Sequence, residues 1–353
     1  MTPFRSSLFR GLAAVLLIAL APLRVHAVET NILTGGPTGT YIQIGRDIAT
    51  AAATCGITLD VHESAGSLEN FLGVRQRRLM QFGIVQSDVL EYLRTFAADD
   101  PKLGRAVSGV RIAFPLYDEE VHLLARRDIG ALKDLAGKRV SIGVENSGTF
   151  LTASLVLDLA QVVPQERAKL TQDEALTALI EGRIDAFFYV AGAPAKLFAD
   201  PRIDGAKLHL VPVADPTLRA VYRPVTIAGG TYPFQKEPVE GIAVKAVLMT
   251  YGYDPRRNAY HRENCRAVSD IAHVLSTHFQ QLRETGHPKW KQVDLTDLPP
   301  GWDISDCVNA GLAPGYRLAC DAELPQATPA PASAESEANR AYRRQICAVI
   351  GCD

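Results

Sequence analysis

The chain has 353 residues, a formal net charge of −2, 47% hydrophobic residues and 22% charged residues. A chain of this length can bury one large core or two moderate ones. The mildly acidic balance gives no electrostatic reason to seek nucleic acid, and beyond the first thirty residues no run approaches the ~20 apolar residues of a membrane-spanning helix.

The start of the chain sets an expected compartment. Arg5 and Arg10 precede a short apolar core, Gly11 to Ala21, and Val25-His26-Ala27 offers small residues where a signal peptidase reads. Residues 1–27 are expected to be a signal peptide cleaved after Ala27, with an uncleaved anchor as the alternative. The mature protein is then expected to be soluble and periplasmic.

Strand-like and helical patterns alternate from there. Asn31 to Thr34 reads as a strand ending at a Gly-rich turn, and Thr40 to Thr54 as a helix with Tyr41, Ile44, Ile48 and Ala52 on one face. Strands over 57–62 and 82–85 alternate with helices over 67–79 and 87–96, and a strand over 110–116 follows. The rhythm restarts with strands over 121–125, 139–143 and 184–190, and with helices over 147–161 and 173–181. Strands over 208–213, 225–228 and 242–249 precede a long amphipathic helix from Glu263 to Glu284. This β-α-β rhythm predicts mainly parallel sheet covered by helices. The simplest architecture is two α/β units, with the chain crossing near Pro115–Asp118 and again near Arg223–Tyr232. One lobe would hold residues 28–117 and 224–320, and the other 118–223. Residues 321–338 read as a Pro/Ala-rich linker before a Cys-containing segment, 339–353.

All six cysteines follow the leader, and an even number in an oxidising compartment suggests disulfides. Cys307 with Cys320 and Cys347 with Cys352 are close enough in sequence to close small loops, leaving Cys55 and Cys265 as a pair or as free thiols. Cys-x-x-Cys spacing is missing, so no metal and no cofactor is expected.

Polar turns recur where strands hand over to helices. Thr34 to Tyr41 (TGGPTGTY) lets backbone approach a ligand and presents the free N–H groups of a helix start. It is neither a P-loop nor a full Gly-x-Gly-x-x-Gly. Glu63 to Asn70, Gln86-Ser87-Asp88 and Glu145 to Thr149 repeat the logic, and strand ends of one sheet converge on one edge. Each turn is also explicable as plain capping or turn chemistry. No nucleophile elbow and no His-Glu-x-x-His is present, so an enzyme is not expected.

These segments, in this order, closely resemble the TAXI family of TRAP-transporter solute-binding proteins. The matching stretches are TGGPTGTYIQIG (34–45), SAGSLEN (64–70), VQSD (85–88), LYDEEVHLLAR (116–126), LAGKRVSIG (135–143), Ser147–Thr149, IDAFFYVAGAP (184–194) and GTYPFQ (230–235). The resemblance implies a periplasmic-binding-protein-like fold, two α/β lobes joined by a hinge with a ligand cleft between them. It implies a receptor that delivers a small carboxylate, such as glutamate or 2-oxoglutarate, to a TRAP permease in the inner membrane. By motif match the contacts come from Thr38, Gly39, Thr40, Tyr41, Ser64, Ser67, Asn70, Gln86, Ser87, Asp88, Ser147, Gly148, Thr149 and Gly192. Thr38-Gly39 stands where the family has Gly-Gly, and Glu145 is expected near the cleft, where it would repel a carboxylate. A monomer is expected. The same fold feeding a membrane sensor is the alternative role, ahead of an exported enzyme.

Overall fold

The computed structural model describes residues 29–322. The first half alternates as the periodicity predicts: β1 (Thr30–Leu33), α1 (Thr40–Thr54), β2 (Leu59–His62), α2 (Ser67–Gln76), β3 (Phe82–Gln86) and α3 (Ser87–Phe96). A further helix, α4 (Pro101–Ser108), starts on proline and is capped by Asp100, whose carboxylate accepts the N–H groups of Lys102 and Leu103.

The next strand, β4 (Val110–Arg126), is one element of 17 residues where the sequence suggests two. Pro115 interrupts the apolar pattern and offers no N–H. Its partner strand β10 (Val239–Tyr251) shifts register there, with Val247 opposite Pro115 and Lys245 opposite Asp118. A bulge therefore absorbs the missing donor and the strand runs on.

Between these two strands lie β5 (Arg139–Ser141), α5 (Gly148–Leu159), β6 (Glu166–Ala168), α6 (Gln172–Ile180), β7 (Ala186–Ala191), β8 (Leu208–Leu210), α7 (Pro216–Arg219) and β9 (Arg223–Ile227). After β10 come α8 (Ala259–Thr277), α9 (Phe279–Thr285) and α10 (Asp306–Leu312). The single helix expected from Glu263 to Glu284 breaks at His278, a buried residue whose ring lies 3.1 Å from Thr54 Oγ1 at the end of α1.

The described strands form a ten-stranded sheet in the order β2-β1-β3-β10-β4-β7-β5-β6, with β8 against β4 and β9 against β10. The outer strands pair in parallel, while β10 and β4 run antiparallel through the middle. Apolar side chains fill both faces at each end, giving two α/β lobes. In the first, Ile32, Phe82 and Leu248 pack under α1 and α8, and Leu33, Val85 and Val247 pack under α2 and α3. In the second, Leu123 and Phe188 face α5, and Leu124 and Phe187 face α6. Coverage of both faces explains why these strands read as continuous apolar runs instead of alternating. Ile227, Tyr232 and Val239, expected in the first lobe, instead pack with Phe198 in the second, because the 230–235 turn folds Tyr232 and Phe234 onto that ring.

The cysteine pairing corrects the expectation from spacing. Cys307 does not bond Cys320; the bridges are Cys265–Cys307 and Cys55–Cys320. Cys307 lies in the first turn of α10, which packs on α8 and turns the thiol inward to Cys265, while Ser269 Oγ donates to the Cys307 carbonyl at 2.6 Å. Cys320, beyond α10, reaches the end of α1. Local loop length was the wrong guide, because helix packing decides which thiols meet. Cys347, Cys352, the expected signal peptide, most of the linker and the final segment lie outside the described residues.

Candidate functional site

Three helix starts converge where the lobes meet. Helices α1 and α2 come from the first lobe and α5 from the second. Gly66, at φ 127°, caps α2 in a conformation that side chains rarely adopt, and a Cβ there would lie 3.3 Å from Ser147 Cα. Gly148 opens α5 so close to the first lobe that a Cβ would fall 1.7 Å from Gln86 Oε1 and 2.7 Å from Ser67 Oγ. The N–H groups of Leu68 and Glu69 in α2 donate to the Asn146 carbonyl at 3.1 and 3.2 Å, so the other lobe satisfies that helix start. Helix α1 has no side-chain cap, and α5 is capped by Ser147 Oγ, which accepts the N–H of Phe150 at 3.0 Å. The first-turn amides of α1 and α5 carry the partial positive charge of helix ends.

A cavity of about 50 Å³ lies between these two starts, with Gly39, Tyr41, Ser67, Glu119, Thr149 and Tyr189 in its wall. That holds several waters or one compact solute. Tyr41 Oη donates to Glu119 Oε2 at 2.6 Å, and Ser67 Oγ, 3.5 Å from Tyr41 Oη, accepts the Gln86 N–H. Thr149 Oγ1 accepts the Val190 N–H at 3.1 Å, leaving its own proton to donate. Among the described residues no lysine or arginine lines the cavity. Burial pushes the Glu119 carboxyl up to about 8, against the lowering hydrogen bond from Tyr41, and pushes Asp88 up to about 6.

Hydrogen bonds cross between the lobes around this cavity. Thr40 Oγ1 donates to the Gly192 carbonyl at 3.0 Å and Thr152 Oγ1 to Asp88 Oδ2 at 2.7 Å, while within the second lobe the Ala193 N–H donates to Glu120 Oε2 at 2.7 Å. Lys289 is fully buried behind the cavity, with Nζ 2.6 Å from Glu120 Oε1 and 2.7 Å from Gln292 Oε1. The described arrangement is therefore closed.

Of the residues expected at a ligand, Gly39, Thr40, Tyr41, Ser67, Gln86, Ser147, Gly148 and Thr149 line the cavity. The other six lie around it. Ser64 donates to Asn70 Oδ1, and the Asn70 amide donates to the carbonyls of Thr34 and Ile84, locking strand ends together. Ser87 Oγ accepts the Lys245 N–H, and Thr38 donates to Asp173 at 3.4 Å on the rim. Asp88 and Gly192 serve the interlobe bonds given above. Glu145 does not face the cavity: its exposed carboxylate pairs with Lys169. Glu119 and Gln172 are wall residues that the turn motifs do not reveal. A Glu-Glu pair inside an otherwise apolar strand was the available clue to Glu119.

The sequence matches the NMT1-like family over residues 32–261, well over half of the chain. The chain belongs to the NMT1-like family. Among solved structures it is similar to a histidine kinase sensor domain with similarity to periplasmic binding proteins, at 15% identity and TM-score 0.46, covering 76% of this chain and 98% of that one. It is similar to MatC from Rhodopseudomonas palustris with bound malate, at 17% identity and TM-score 0.44, covering 70% and 87%. It is also similar to DctP7, a Bordetella pertussis extracytoplasmic solute receptor binding pyroglutamic acid, at 15% identity and TM-score 0.41, covering 80% and 91%. Membership of the NMT1-like family rests on the sequence match alone. Among the described residues no helix is long and apolar enough to cross a membrane.

Proposed function

We propose that this chain is a periplasmic solute-binding receptor that closes two lobes over one small organic anion, an amino acid or a dicarboxylate such as glutamate or 2-oxoglutarate, and delivers it to a TRAP-type permease. The observation that carries the reading is the cavity between the starts of α1 and α5, one from each lobe. A carboxylate lying there accepts first-turn N–H groups from both helices. Each helix end contributes about 0.3–1 kcal/mol, and up to ~2 kcal/mol when partly buried. The Thr149 hydroxyl, whose proton is free to donate, adds orientation. Because the donors sit on different lobes, the anion favours the closed arrangement through contacts that the open one lacks.

The TRAP assignment rests on the ordered TAXI motifs in the sequence. Export rests on the basic, apolar and small-residue leader, and the two disulfides favour an oxidising compartment. We take the lobes to part within β4 and β10, so that the hinge is the bulged stretch of the sheet. The role is binding without chemical change to the solute. Native mass spectrometry of protein from the envelope fraction, followed by calorimetry with mono- and dicarboxylates and amino acids, tests this. Recovery of an unaltered small acid is expected. Binding of only a cation or an uncharged sugar would overturn the anion reading.

A further inference from the structure

We propose that Glu119 is a proton-binding site inside the cleft, so that the receptor takes up its anion together with one proton held between this carboxyl and the ligand. The inference rests on the anion reading above.

Glu119 is 2% exposed and sits in β4 where the strand passes between the lobes. Among the described residues its neighbours supply no free cation. From α1, Tyr41 gives one hydrogen bond through a neutral phenol. From α2 comes Ser67, which does not titrate. From α3, Asp88 is a second carboxyl, committed to Thr152. On its own strand stand Tyr117 and Glu120, and β7 adds Tyr189. From the turn at Pro288–Gln292, Lys289 is bound to Glu120 and Gln292. Across the ladder on β10 lies Val244, and the next residue, Lys245, pairs with Asp118 and Asp297 at 2.8 and 2.7 Å. Every group facing Glu119 is thus neutral, acidic or a cation already held by another acceptor.

A buried carboxylate with a single phenolic donor is poorly stabilised, and an anion placed between α1 and α5 would set a second negative charge in the same enclosed space. A proton removes both problems. The neutral carboxyl donates its O–H to a ligand oxygen and still accepts from Tyr41 Oη. In the open form water reaches the carboxyl and lowers its proton affinity, so closure takes up a proton. The sign follows: between the ordinary carboxyl range of the open form and the burial-raised value of about 8 the closed form must take up a proton, so closure is favoured at low pH and weakens as pH rises to about 8.

The test is calorimetry of the full mature chain with acetate, L-malate, 2-oxoglutarate and L-glutamate from about pH 6 to 9.5, with infrared spectra of the saturated complex. For a probe whose own charge is constant over the range, affinity should fall, by up to roughly tenfold per pH unit, as pH rises from 6 towards about 8, where closure takes up a proton, and should level off above that. Glu119→Gln, which keeps the shape and an N–H donor, should flatten that slope, and the protonated-carboxyl band of the complex should vanish with it. Asp88→Asn should keep the slope. Anion binding with no pH slope, or an ionised Glu119 in the complex, would overturn the proton proposal and leave the anion reading standing. If none of the four acids binds at any pH, the anion reading falls and takes the proposal with it.

Discussion

Replacing Gly148 by Ala tests whether closure depends on the bare backbone at the start of α5. The added methyl would lie 1.7 Å from Gln86 Oε1, 2.4 Å from Gln86 Cδ and 2.7 Å from Ser67 Oγ, all side-chain atoms of the other lobe. Gln86 and Ser67 are both nearly fully buried, so neither has room to retreat while the lobes stay together. Overpacking of this kind costs about 1–3 kcal/mol. Here the open arrangement avoids the cost by withdrawing α5, so the penalty falls on closure and not on folding. Affinity should drop roughly 5- to 150-fold. The backbone at Gly148 is not in the left-handed region, and alanine favours helix over glycine, so the melting temperature without ligand should hold or rise slightly. Calorimetry reads the affinity, thermal melting reads the fold, and small-angle scattering reads whether the saturated variant stays extended. A variant that binds and compacts like the wild type would refute the reasoning. So would one that simply unfolds.

Two further outcomes follow from the first lobe and the hinge. Peptide mapping without reduction should yield Cys265–Cys307 and Cys55–Cys320 and no Cys307–Cys320 fragment. Removing the former bridge, whose residues are 42 apart, should cost about 4 kcal/mol by loop-closure entropy, read from denaturant midpoints. Lys289→Met leaves Glu120 buried without its cation and should destabilise by about 3–5 kcal/mol, while Lys289→Met with Glu120→Gln should recover most of that. A double variant no more stable than the single would show that packing, and not charge, holds that site.

Much of the fold is legible in the sequence because hydrophobic period, turn chemistry and helix starts agree there. Helix α1 spans the residues its apolar face predicts, and α3 opens at Ser87 as expected. The glycines and hydroxyls at the starts of α1 and α5 announce the cavity wall, since backbone approach has few other causes. What stays hidden is non-local. Pro115 looks like a break until β10 supplies the bulge that carries the strand past it. The partner of Cys307 is set by how α10 lies on α8. Glu119 carries no turn signature, and its place in the cleft follows from the length and path of β4. Glu145 shows the converse, a carboxylate in a turn motif that points away to Lys169.

The central position of β10 has a consequence for the order of assembly. Strands β3 and β4 are consecutive in sequence but do not touch, because β10 lies between them and pairs with both. A chain emerging from its N-terminus therefore holds two unpaired strand edges until Tyr251 is free. Both bridges also wait, for Cys307 and Cys320. The first lobe is begun first and finished last. A chain cut short before β10 keeps those edges open, in a form suited to pairing with other chains.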